Sequence, residues 1–205
     1  MKRIVSIIAV ISIIASTSCN KDQESQTHPK TIDLPAKASE VISASNSFGI
    51  NLFSVTAVEE NANMMLSPLS ASTALTMLLN GCGTNTYEQI RDMLGYQGLT
   101  LEEINATHQS LVNQLLNADP DVSLALANAV FYRQDFPFKA SFLELMDTTF
   151  DAEVTGLDFY SPAALESING WASDHTNGKI TKVLTEIEPM SVMFLMNALY
   201  FKGTW

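Results

Sequence analysis

The chain has 205 residues, of which 46% are hydrophobic and 16% are charged, and its formal net charge at pH 7 is −11. The hydrophobic fraction is enough for a packed core, which argues against a wholly disordered chain. The negative charge would repel a phosphate backbone, so nucleic acid is not an expected partner. The length suits one domain of ordinary size.

The N-terminus has the composition of a targeting segment. Two basic residues precede an apolar run of twelve residues, 4–15, and small residues then lead to Cys19. This order predicts a secretory signal peptide over residues 1–18, too short to span a bilayer as a mature helix. Cys19 resembles the lipidated cysteine of bacterial lipoproteins, although Ser16 stands where such sites usually carry leucine. The alternative is a plain signal peptide followed by an incidental cysteine.

Residues 19–37 separate this segment from the expected domain. Residues 20–36 are polar and contain two prolines, which is typical of a flexible tether. With a lipidated Cys19, the chain would be secreted across the inner membrane and anchored by lipid at the bacterial outer membrane or the cell surface. Only Cys82 would then remain as a thiol, so the fold would depend on packing without an intramolecular disulfide.

The first half of the expected domain is predicted to be mainly helical. Apolar residues at helical spacing predict a first helix over 38–58, and a short apolar strand is expected at 63–67. Ser67 followed by proline then predicts the N-cap of a second helix, which is apolar almost all round and therefore central. Thr86 has capping-box spacing to Gln89 and predicts the start of a short third helix.

The second half alternates strands and helices. Thr100 and Glu103 repeat the capping box and open a fourth helix, whose apolar face includes His108, for which a structural role is expected. The later elements follow in order: a long strand at 122–134, a helix at 139–150, a strand at 152–159, a helix from Ser161-Pro162 to near Asn177-Gly178, and a closing strand at 192–205. Together they predict a mixed α+β domain.

The two long strands share a pattern. "LANAVFYR" and "LMNALYFK" each place an asparagine, Asn128 or Asn197, before alanine and an aromatic residue. The similarity is typical of neighbouring strands of one sheet that meet similar demands. Each buried asparagine needs hydrogen-bond partners, since an unpaired buried amide costs about 1–3 kcal/mol.

The sequence contains no recognised catalytic motif. G-x-S-x-G, H-E-x-x-H, paired C-x-x-C motifs and glycine-rich phosphate loops are absent. The three histidines fall on separate segments, so a metal cluster is not expected. We therefore expect no enzymatic activity, no metal and no cofactor.

Four blocks of the sequence, taken in order, resemble the serpins across residues 38–205. They are "NMMLSPLSASTALTMLLNGCGTNTYEQIRDMLG", "LANAVFYRQDFPFKASFLELMDTTFDAEVTGLDF", "SINGWASDHTNGKI" and "MNALYFKGTW". The resemblance implies a serpin fold, with N-terminal helices packed on a large mixed β-sheet. It also implies an N-terminal portion truncated before the reactive loop, because serpins are about twice this length. A fragment, an interrupted reading frame and one piece of a nicked protein all fit.

The resemblance implies inhibition of serine or cysteine endopeptidases as a suicide substrate. The protease cleaves the reactive loop and is held as an acyl-enzyme, while the freed loop inserts into the main sheet. The bond that is cleaved would not lie in this chain. A non-inhibitory serpin-like binding protein and an inactive truncated remnant are the alternatives.

The resemblance also assigns roles to individual residues. Ser67, Ser70 and Asn197 match a polar cluster that controls opening of the sheet, and Trp205 matches the point where the inserting loop enters it. The helix at 162–177 matches one that lies across the sheet and must yield during insertion. Ser67 as a plain N-cap, Asn197 bonded to a local loop and Trp205 as a core residue are the simpler alternatives.

Overall fold

The computed structural model describes residues 29–59 and 63–203. The helices are α1 Ala38–Glu59, α2 Pro68–Gly81, α3 Thr84–Leu94, α4 Leu101–Leu115, α5 Ala140–Phe150 and α6 Pro162–His175. The strands are β1 Val122–Arg133, β2 Ala152–Leu157 and β3 Met193–Gly203. The predicted α+β class is confirmed.

Two predicted helix starts are formed by the expected side chains. At α2, the Oγ of Ser67 accepts a hydrogen bond from the backbone N–H of Ser70 at 3.2 Å. At α4, Thr100 Oγ1 accepts from the N–H of Glu103 at 3.2 Å, and Glu103 Oε2 accepts from the N–H of Thr100 at 3.0 Å. Each cap of this kind stabilises a helix by about 1 kcal/mol, because it satisfies donors that the helix leaves free.

Two local predictions are wrong. Residues 63–67 form no strand, and Met65 in this segment is 97% exposed. An apolar run needs a neighbouring strand for its ladder, and within 29–59 and 63–203 nothing pairs with this one. Helix α3 begins at Thr84 after Gly83, so Thr86 lies inside the helix and cannot form the predicted capping box.

The sheet is mixed, with strand order β2-β1-β3. Strand β1 pairs in parallel with β2 and antiparallel with β3. The antiparallel register runs from Val122 opposite Gly203 to Tyr132 opposite Met193, and it places Asn128 directly opposite Asn197. The prediction that the two long strands lie side by side in one sheet is therefore confirmed.

Helices cover both faces of β1, whose successive side chains point to opposite sides of the sheet. Val130 packs on one face against residues of α2 and α5, among them Met77 and Met146. Ala129 and Phe131 pack on the other face against α6. These two layers make β1 the centre of the described part of the fold.

Helix α1 belongs to a third apolar cluster. By length and composition, α1 could cross a membrane. One such helix is only weak evidence for a membrane span. Val41 and Phe48 are buried against residues of α2, α3 and α4. The second half of α1 exposes Ile50, Phe53, Val55 and Val58.

Candidate functional site

Two serines at the start of α2 form a hydroxyl pair. Ser67 Oγ donates a hydrogen bond to Ser70 Oγ at 2.9 Å, and it accepts from the N–H of Ser70 at 3.2 Å. Proline at position 68 fits the first helical turn. The local sequence therefore fixes where α2 begins and places the two serines at its start. Ser67 thus acts as an N-cap, and among residues 29–59 and 63–203 the hydroxyl proton of Ser70 has no acceptor, so it can donate to a third group.

Two asparagines link β3 through β1 to α5. Asn197 Nδ2 donates to Asn128 Oδ1 at 2.7 Å. Asn128 Nδ2 donates in turn to the carbonyl oxygen of Phe150 at 2.7 Å. The register of the two strands brings the amides face to face, and Asn128 is only 4% exposed. We call this arrangement the asparagine relay.

The relay has one open position. Asn197 Oδ1 is buried and accepts no hydrogen bond from any residue of the described chain. A buried acceptor in this state costs about 1–3 kcal/mol, because it has lost water without gaining a partner. The end of the relay on β3 could therefore accept a hydrogen bond from a donor that approaches this strand.

The structure places three of the predicted site residues in two separate hydrogen-bonded pairs. Helix α2, which begins next to Ser67, packs against β3, the strand that carries Asn197. Within the part of the chain that is described, no hydrogen bond joins Ser67 or Ser70 to Asn197. Cys19 and Trp205 lie outside the described residues.

Asn128 belongs to this site but was not among the site residues that the family resemblance indicated. The repeated asparagine-alanine pattern was a signal for it, since two similar strands in register bring equivalent residues together. The pattern indicated that each amide needs a partner, and the structure shows that each supplies one for the other.

His108 has the structural role expected for it. Its ring lies on α4 with its centroid 5.2 Å from that of Phe150. Burial lowers the pKa of His108 to about 4, because the charged form is poorly solvated there. The ring is therefore neutral at pH 7 and packs as an uncharged side chain.

The described residues show little capacity for metal or thiol chemistry. Across 29–59 and 63–203, no three His, Cys, Asp or Glu side chains are grouped so that they could hold a metal ion. Cys82 is half-buried, and burial raises the pKa of its thiol. A thiol that stays protonated at neutral pH is a poor nucleophile and packs as a small apolar group.

Comparison with known proteins identifies the family. The family model described as "Serpin (serine protease inhibitor)" matches residues 43–205. The chain belongs to the serpin family. Members of this family are generally protease inhibitors rather than enzymes, and the predicted resemblance is confirmed at this level.

The similar serpins include both an inhibitor and a binding globulin. The chain is 33% identical over 173 residues to the leukocyte elastase inhibitor of Bos taurus, covering 81% of this chain and 45% of that protein. It is 30% identical over 205 residues to the thyroxine-binding globulin of Rattus norvegicus, covering 97% and 49%. The chain thus spans about half the length of the curated serpins it matches.

A solved structure confirms the serpin fold. The thermophilic serpin tengpin, solved in the latent state, superposes with a TM-score of 0.75 at 29% identity. The match covers 86% of this chain and 46% of tengpin. The helices and the mixed sheet described above are therefore part of a serpin fold.

Proposed function

We propose that this chain is the N-terminal part of a serpin-type inhibitor of serine or cysteine endopeptidases that acts by loop insertion. The observation that carries the proposal is the position of β3. This 11-residue strand pairs with β1 along one side, and its other side has no strand beside it in the described residues. Such an edge offers a row of backbone donors and acceptors to an added strand.

The gain from strand addition can be estimated. Ladder hydrogen bonds contribute about 1 kcal/mol each, and ordering the added backbone costs about 1–2 kcal/mol per residue. Because an added strand gains about one ladder bond per residue along one edge, the ordering cost is at least as large as the hydrogen-bond gain. The net driving force must therefore come from side chains that the new strand buries on the two faces of the sheet.

In this proposal, Ser67, Ser70 and Asn197 form the gate that controls opening of the sheet, and Asn128 supports it. The free proton of Ser70 and the unpaired Oδ1 of Asn197 support this role. Hydroxyl and amide groups can exchange hydrogen-bond partners when the strands of the sheet separate. The family resemblance implies a histidine partner from the part of the fold beyond residue 205, and Trp205 as the point where the loop enters.

A strand-addition experiment tests the proposal on this chain. An 11-residue peptide of alternating threonine and alanine, matched to the length of β3, is added to the chain. The control peptide carries proline at every second position and cannot form a ladder. We expect the first peptide to raise the thermal midpoint by about 5 °C at saturating concentration and the control to leave it unchanged. No stabilisation by either peptide would contradict the proposal.

A protease experiment tests where the reactive loop lies. By the family resemblance the loop lies beyond residue 205, so the 205-residue chain should form no covalent complex. The chain is incubated with trypsin-, chymotrypsin- and subtilisin-like proteases and run on a denaturing gel. A shifted band that survives SDS would show that a reactive bond lies within these residues.

We further propose that lipid on Cys19 anchors the protein at the outer membrane or the cell surface, with residues 20–37 as a tether. Cys19→Ala should move the protein from the membrane fraction to the soluble fraction. Cys82→Ala is the matched control, since it removes the other cysteine and should leave the protein in the membrane fraction. Membrane retention of Cys19→Ala would remove the lipoprotein assignment.

The second candidate is a serpin-like binding protein without inhibitory action. The similarity to thyroxine-binding globulin, which covers 97% of this chain, favours it. The peptide experiment distinguishes this candidate from the inhibitor, because only a sheet that accepts a strand is stabilised.

The third candidate, an inactive remnant, is favoured by apolar side chains left exposed, such as Val58 and Met190.

A further inference from the structure

Three side chains join the end of α6 to the edge of the sheet. Trp171 lies with its ring edge against Phe131 of β1, at a centroid distance of 6.3 Å and an interplanar angle of 80°. His175, the last residue of α6, stacks on Trp171 with centroids 4.4 Å apart and an angle of 29°. The His175 ring also reaches Glu153 on β2.

Each nitrogen of the His175 ring faces an acceptor. Nδ1 lies 2.9 Å from the carbonyl oxygen of Trp171, and Nε2 lies 3.1 Å from Oε1 of Glu153. A carbonyl has no proton to give, and neither has an ionised carboxylate. A neutral imidazole donates from only one nitrogen, so both bonds form together only when the ring carries two protons and a positive charge.

We propose that His175 is a pH-operated latch, which fastens α6 to β2 when the ring is doubly protonated and loosens it when the ring is neutral. The latch therefore holds at acid pH and weakens as the pH rises.

The charged groups around the ring are few. The side chains of β1 and β3 that pack against α6 are apolar, among them Phe131 and Ala198. On β2, Glu153 is the carboxylate within 4.0 Å of a ring nitrogen in the described chain. Asp174 and Lys179, close in sequence, are exposed and form no ion pair with it in this structure. One carboxylate thus governs the latch.

The functional meaning of the latch rests on the proposed inhibitory mechanism, in which the helix across the sheet must yield. Asn177 and Gly178, directly after α6, both have left-handed backbone conformations, with φ of 51° and 71°. This turn ends the helix immediately beyond the latch. Release of His175 would free the last turn of α6, so the sheet would open more readily at neutral than at acid pH.

Hydrogen exchange of the full chain tests the latch directly. The amides of Pro162–His175 are followed by mass spectrometry at about pH 5.5 and about pH 8.0, on either side of the range in which imidazoles titrate. His175→Gln keeps one donor, as the neutral ring does, and Glu153→Gln removes the anionic acceptor. At the lower pH we expect both variants to exchange about threefold faster than the wild type, and at the higher pH equally fast.

Glu40→Gln is the matched control, because it removes the exposed Lys37–Glu40 ion pair on α1 and should leave α6 unchanged at both pH values. Exchange in His175→Gln that equals the wild type at the lower pH, or differs from it equally at both pH values, would overturn the proposal.

Fluorescence provides a second readout. Trp205→Phe leaves Trp171 as the sole tryptophan, and its emission should be quenched at the lower pH by the stacked charged ring. His175→Gln in this background should remove the pH dependence. Emission from Trp171 that does not change with pH would contradict the latch. Neither measurement involves a protease or an added strand, so failure here leaves the inhibitor proposal standing.

Discussion

Strands β1 and β3 carry the same local pattern but have different surroundings. Asn128 of β1 uses both ends of its amide, as an acceptor from Asn197 and as a donor to Phe150. Asn197 of β3 uses only its Nδ2, and its Oδ1 is buried without a donor in the described chain. Two equivalent residues that face each other in register therefore differ in how completely they are satisfied.

The aromatic residues of the two strands show the same difference. Phe131 of β1 is 4% exposed, whereas Phe201 of β3 is 63% exposed. Among the described residues, β1 has a strand on each side and helices on each face, whereas β3 is paired with a strand on one side. The described residues thus surround β1 on all sides and leave one edge of β3 without a neighbouring strand. The sequences of the two strands do not indicate this difference.

The largest expected effect tests how closed the β1 side is, through His108, which packs on Phe150 in the cluster that covers Val130 of β1. His108 has a pKa of about 4 in the fold, below the ordinary value of 6.5. A depressed histidine pKa contributes stability fully above about pH 6.5 and loses it as the pH falls towards 4, because the unfolded chain binds the proton first. At about 1.4 kcal/mol per pH unit, discounted for partial exposure, acidification from pH 7 to pH 4 should cost about 2–3 kcal/mol through this residue.

The free energy of unfolding in urea, measured at several pH values, checks this prediction. His108→Gln cannot take up the proton and is the control, so the difference between the two proteins isolates the residue from other acid-sensitive groups. Identical pH dependence in both would mean that the ring is solvated and that the β1 side is not closed.

Asn128→Ala should produce the next largest effect. It removes the acceptor of Asn197 Nδ2 and the donor to the Phe150 carbonyl, leaving two buried groups unpaired. We expect a loss of about 2 kcal/mol in the free energy of unfolding. Asn113→Ala is the matched control, since Asn113 is exposed on α4 and its amide makes no hydrogen bond in the described chain. A loss no larger than that of the control would contradict the relay.

Asn197→Ala should cost less, about 1 kcal/mol, because it breaks one bond and also removes the unpaired Oδ1. The double variant should cost less than the sum of the two single losses, since both remove the same bond. Chemical denaturation of the three variants measures this coupling. An equal cost for Asn128→Ala and Asn197→Ala would show that both strands are equally complete, and the comparison would fail.

Features decided by neighbouring residues were predictable from the sequence, and so was one strand pairing that a repeated pattern indicated. The caps at Ser67 and Thr100 depend on groups within three residues, and both formed as predicted. The pairing of β1 and β3 followed from two long apolar strands with one pattern. The serpin resemblance was carried by blocks whose order and spacing are specific to the family.

Features decided by distant parts of the chain were not predictable. Residues 63–67 have the composition of a strand, but pairing depends on a neighbour that their own sequence cannot show. The capping box predicted at Thr86 also failed, although its spacing is local, because α3 begins at Thr84, two residues before it. The bond between Asn128 and Asn197 required the register, which only the assembled sheet supplies. The roles of Cys19 and Trp205 stay predictions, since both lie outside the described residues.

The smallest effect on stability, and the sharpest test of the open side, is expected for Phe201→Ser. This side chain is largely exposed, so its loss should change the free energy of unfolding by less than about 0.5 kcal/mol. An unpaired strand edge beside exposed apolar surface promotes association between copies, so sedimentation velocity should show less self-association in the variant. Phe53→Ser is the matched control, because Phe53 is 54% exposed but lies on α1, away from β3. If both variants reduce association equally, exposed apolar area alone drives it, and the edge of β3 has no special role.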